Sequence, residues 1–165
     1  MKIFILQAAI VLLMYTLQTS LANFINFNGI TVNLMLLLTG SVAFLRGWKY
    51  GLATGFILGL LQDLTSGSFF GCAIFSYMTI GILFGRFSTH IYKEQFIFPV
   101  LSAPVAALMH FFIMFGFIYL LGYNLNATHF FKDVLLPMMI YQFIFAWFVH
   151  KIVFTYDKFE KEYFA

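Results

Sequence analysis

Residues Tyr50–Gly85 read YGLATGFILGLLQDLTSGSFFGCAIFSYMTIGILFG, and Asp63 is their single charge. As one helix these 36 residues would run about 54 Å, nearly twice the roughly 30 Å of a bilayer's hydrocarbon core. The stretch therefore predicts a hairpin of two spans, near 50–64 and 69–85, turning at Thr65-Ser66-Gly67-Ser68. The apolar runs are continuous and do not alternate, which excludes a membrane β-barrel.

The rest of the chain repeats the pattern. Apolar runs predict further spans at 3–22, 30–45, 96–122 and 134–154. Pro99 and Pro104 fall early in the fifth, where proline is tolerated, and predict an interrupted helix. The tail from Thr155 is polar and amphiphilic. Hydrophobic residues make up 62% of the 165 and charged residues 9%, with mean hydropathy +0.94. A soluble domain of this size could not hide that much apolar surface, and disorder needs the opposite composition. The expected fold is an all-α membrane protein, one integral domain over 1–165, with six transmembrane helices and short loops.

Eight of the nine basic residues fall on one set of alternate loops and ends: Lys2, Arg46, Lys49, Arg86, Lys93, Lys151, Lys158 and Lys161. Only Lys132 falls on the other set. This asymmetry predicts that both termini are cytoplasmic. The basic residues are too scattered for a nucleic-acid patch. Lys2 and Ser20-Leu21-Ala22 also fit a signal peptide, but the apolar run exceeds the usual h-region, so an uncleaved first span is expected. The lone Cys72 cannot form an internal disulfide and reads as a small buried hydrophobe. Asn126-Ala127-Thr128 matches a glycosylation sequon, a short pattern that often arises by accident.

Candidate functional residues are few. Asp63 is a carboxylate inside a span, which marks a functional candidate. Its structural alternative is to accept hydrogen bonds from the following turn or the start of the fourth span; partner contact and ion or proton handling are the other readings. Gly47, Gly51, Gly55 and Gly59 recur every four residues, and Gly81 and Gly85 repeat the step. Such strips let helices approach closely, either within one bundle or against another protein's span. His110 and Gln142 are intramembrane polar residues that suit interhelical hydrogen bonds; His110 as a proton relay is the sharper reading. No metal-ligand cluster, phosphate loop, nucleophile elbow or second intramembrane acid stands beside them, so no enzyme, cofactor or metal site is expected.

From Gly29 the sequence runs GITVNLMLLLTGSVAFLRGWKYGLATGFILGLLQDLTSGSFFGCAIFSYMTIGILFG. The ordered set Asn33, Leu45-Arg46-Gly47, Gly51-x3-Gly55-Phe56-x2-Gly59-Leu60-x2-Asp63, Ser66-Gly67, Gly71, Gly81 and Gly85 resembles the MreD family of bacterial rod shape-determining proteins. Val32 stands where the family often has proline. The resemblance implies a non-enzymatic inner-membrane scaffold of the cell-elongation machinery. Its implied partners are MreC, RodA, a penicillin-binding transpeptidase and MreB, which together insert sidewall peptidoglycan. It also implies a fold like the six-helix substrate-binding subunits of energy-coupling-factor transporters. That likeness supplies the alternative function, a vitamin-type transport subunit with an enclosed pocket lined by Asp63, His110 or Gln142.

Overall fold

A computed structural model describes residues 10–20, 32–66, 69–88, 97–122 and 131–164. Among them are six α-helices: α1 (Ile10–Ser20), α2 (Leu34–Arg46), α3 (Trp48–Ser66), α4 (Cys72–Phe87), α5 (Ile97–Leu120) and α6 (Leu136–Phe164). A π-helical turn, Phe131–Leu135, leads into α6. Two helical segments, Ile97–Leu120 and Phe131–Glu160, are long and apolar enough to cross a membrane; α1, α2 and α4 are shorter apolar helices. Gly67, the sequon at 126–128 and the proposed cleavage junction after Ala22 lie outside the described residues.

The centre is α2. Eleven of its thirteen residues are buried, and it touches α3, α4, α5 and α6. Asn33 caps it, its Oδ1 accepting the Leu36 N–H at 3.0 Å. Gly47 ends it at φ 89°, a left-handed backbone that L side chains rarely adopt, and lets α3 start at once. The outer helices are inverted relative to a soluble protein. On α5 the buried side includes Ala103, Ala106 and Ala107, while Leu101, Val105 and Phe112 point out. Small residues inward and large ones outward suit a helix whose solvent is lipid.

Two features differ from the sequence expectation. The fifth helix is not broken: α5 runs unbroken through Pro104, which lacks the N–H that would bond the Val100 carbonyl. The sixth does not stop near 154 but continues ten residues as helix to Phe164. The tail's Asp157 and Glu160 lie one turn apart and turn inward to Arg46, which draws this polar segment against the bundle.

α3 and α4 form the tightest pair. A Cβ on Gly51 would stand 2.5 Å from the Gly81 carbonyl oxygen, on Gly55 2.6 Å from the Tyr77 oxygen, and on Gly59 2.5 Å from the Ile74 Cα. Gly85 meets the Trp48 backbone in the same way. The strip is thus filled by α4 from within the chain, which leaves no room on it for another protein's span. Gly47 is not part of this seam, since nothing lies within 4 Å of its missing Cβ.

Gly116 supplies the contrast. It lies inside α5 with open space where its Cβ would be. Gly116→Ala is expected to stabilise the fold by about 0.5–1 kcal/mol through lower chain entropy. A melting temperature in detergent that falls would show a close neighbour at that face.

Candidate functional site

Asp63 sits on the last turns of α3 and is 4% exposed. Its carboxylate closes the α3–α4 turn. Oδ2 accepts the Gly71 N–H at 2.9 Å and the Ile74 N–H at 3.1 Å, and Oδ1 accepts the Ala73 N–H at 3.0 Å. These are donors at the start of α4, which an intrahelical bond cannot satisfy, and the helix dipole favours a negative charge there. Gly71, at φ 101°, bends the chain so that these N–H groups converge on one acceptor. The arrangement is the structural alternative named above for this residue.

A second polar set lies among α1, α2, α4 and α6. The Tyr77 hydroxyl donates to Asn33 Oδ1 at 2.8 Å, and Gln142 Nε2 donates to the Asn33 carbonyl at 3.1 Å. Gln18 Oε1 accepts the Leu34 N–H at 2.7 Å. Asn33 thereby joins its own helix cap to two other helices. His110 is placed apart from Gln142's bond. Its Nδ1 is 2.6 Å from Ser76 Oγ, and its ring centroid is 5.5 Å from that of Tyr77. Hydrogen bonds of this kind hold helices together where water is absent.

At the other end of α2, Arg46 Nε bonds Asp157 Oδ1 at 3.0 Å and its Nη2 pairs with Glu160. The guanidinium lies 5.0 Å from the Tyr156 ring centroid. Burial opposes the Arg46 charge, but the hydrogen bond to Glu160 and the charges of Glu160 and Asp157 outweigh it and hold the group above its ordinary value. Burial, then Glu160, pushes the Tyr156 hydroxyl up to about 12.

A cavity of about 410 Å³ lies between α1, α2, α3 and α6. It is lined by apolar side chains and by Arg46, Tyr50, Thr54 and Tyr156, and not by Asp63, His110 or Gln142. Among the described residues no group of three or more His, Cys, Asp or Glu could hold a metal ion.

The family model of the rod shape-determining protein MreD matches residues 2–159. The chain belongs to the MreD family. MreD proteins are multi-pass proteins of the bacterial membrane, non-enzymatic, with a role in maintaining rod shape. No curated protein and no solved structure matches the chain.

Sequence reasoning for this MreD-family chain singled out Asp63 and the glycine strip, and the structure joins them in one α3–α4 unit. It missed Tyr77, Ser76 and the Arg46–Asp157–Glu160 cluster. The signal for the cluster was present in Asp157 and Glu160, three apart on one helical face beyond the last apolar run.

Proposed function

We propose that this chain is a scaffold subunit of the cell-elongation complex, binding MreC in the cytoplasmic membrane and assembling with RodA, a penicillin-binding transpeptidase and MreB. The family match over residues 2–159 carries the reading. The interior supports it. Asp63, His110 and Gln142 each meet a neighbour inside the bundle, so the outward helix faces are the surfaces left for assembly. The proposed topology has six spans with both termini cytoplasmic, supported by eight of nine basic residues on one side. An architecture like the energy-coupling-factor substrate subunits fits the same six-helix count.

Partner contact is placed on the outward faces of α3 and α4, at Phe56, Leu64 and Phe75, all exposed, rather than on the glycine strip. Photo-crosslinkers at these three positions in growing cells should give adducts with MreC. No adduct at any of them, together with failure of the chain to co-purify with MreC, would overturn the scaffold reading.

A further inference from the structure

The tip of the α3–α4 hairpin stops short of the ends of its neighbours. His110 and Ser76 mark one level in the bundle, since His110 Nδ1 lies 2.6 Å from Ser76 Oγ. From that level α5 continues ten residues to Leu120, about 15 Å, while α4 reaches back only five residues to Gly71, about 7.5 Å. The bonds to Asn33 mark a second level, shared by Tyr77 and Gln142. From there the turn that leads into α6 reaches Lys132, ten residues back and roughly 15 Å away, while Gly71 is six residues from Tyr77, about 9 Å. Both rulers put the hairpin tip roughly 6–8 Å below the ends of α5 and α6.

The chemistry of these ends agrees. Leu120, on the last turn of α5, is 82% exposed, and Tyr119 and Leu121 beside it are exposed too. Such a turn needs hydrocarbon up to its own level. At the lower tip, Leu64 and Phe70 are also apolar and largely exposed. The backbone of the tip needs no water. The Gly71, Ala73 and Ile74 N–H groups donate to Asp63, the Cys72 N–H to the Phe69 carbonyl at 3.3 Å, and the Phe75 N–H to the Gly71 carbonyl at 3.0 Å. The Thr65 and Ser66 hydroxyls return to the Leu61 and Gln62 carbonyls. At a water surface the first N–H groups of a helix can be left to solvent, whereas in hydrocarbon each must find an acceptor within the protein.

We propose that the α3–α4 tip ends inside the membrane leaflet on the side away from Arg46, roughly 6–8 Å beneath the headgroups, with lipid acyl chains covering Leu64 and Phe70. The length of α3 fits. From Lys49 to Thr65 it rises about 24 Å, against about 30 Å of hydrocarbon, and tilt only shortens that reach. In the proposed topology this is the outer leaflet. A protein partner can meet Leu64 there only through a segment that itself lies in the bilayer, so a water-soluble domain does not reach it.

The test is the depth of single tryptophans in the full chain. Trp48→Phe and Trp147→Phe remove the two native ones, and Phe70→Trp, Leu64→Trp or Leu120→Trp supplies the probe. Each protein is reconstituted in dioleoylphosphatidylcholine vesicles that carry a spin label on the headgroup or on the acyl chain. Phe70→Trp and Leu64→Trp should be quenched chiefly by the acyl-chain label, and Leu120→Trp chiefly by the headgroup label. The quenching ratio should place Phe70→Trp about 6–8 Å deeper than Leu120→Trp. Circular dichroism and elution volume identify the folded variants, and Leu64→Trp carries the test if Phe70→Trp does not fold. Tip probes as shallow as Leu120→Trp, or quenched by aqueous iodide, would overturn the proposal. So would tip probes that neither label quenches, since protein rather than lipid would then cover them.

Discussion

Gly55→Leu is expected to prevent the bundle from assembling. A Cβ alone at this position stands 2.6 Å from the Tyr77 carbonyl oxygen and 3.0 Å from the Met78 nitrogen. Both neighbours are backbone, so no side chain can swing aside. The two helices must separate, and separation also opens the contacts at Gly51, Gly59, Gly81 and Gly85, because all lie on one seam. Overpacking in a well-packed core costs about 1–3 kcal/mol when neighbours can relax, and more when they cannot. A loss above about 3 kcal/mol is a large share of a domain's whole stability. The measurement is thermal unfolding in detergent, with monodisperse elution as the companion readout. Gly40→Ala is the control, since its Cβ would meet Phe84 at 3.5 Å, an ordinary contact. A Gly55→Leu protein that melts with the wild type would show that α3 and α4 do not meet at this strip.

Asp63→Ala is the second large effect. It removes the acceptor of three backbone N–H groups at once, Gly71, Ala73 and Ile74. Hydrogen bonds to a charged group contribute about 1.5–3 kcal/mol each, and three that share one carboxylate add less than fully, so a loss of roughly 3–6 kcal/mol is expected. Asp63→Asn should fail almost as badly. Its amide keeps one acceptor oxygen and turns an NH2 donor toward donors. Hydrogen–deuterium exchange reads the mechanism directly: the amides of residues 71–74 should lose protection first, ahead of those in α2. Unchanged protection there with lost function would assign Asp63 to a partner or an ion instead.

The helices were legible because continuous apolar runs between polar loops leave few alternatives in lipid. Gly51, Gly55 and Gly59 were legible as a close-approach strip from spacing alone. What met the strip was not, since a four-residue repeat on one helix says nothing about which neighbour carries its match. Arg46 illustrates the same limit. Its residue type and its place at a helix end fixed an orientation signal, but its partners stand 111 and 114 residues away. Tyr77 hid for another reason. In a chain with 24 Phe and 9 Tyr, one buried phenol bonded to Asn33 has no mark that separates it from an outward aromatic. Lipid removes the contrast between inside and outside that periodicity reads in soluble helices.

The 29 residues of α6 span about 44 Å, some 14 Å more than the hydrocarbon core. The surplus is gripped at its base by Arg46 of the central helix. A stiff rod held at one point is a lever with a fulcrum. Load applied to its far end, beyond Glu160, is not absorbed locally as it would be by a loose tail. It becomes torque on α2, and through α2 it reaches α3, α4 and α5.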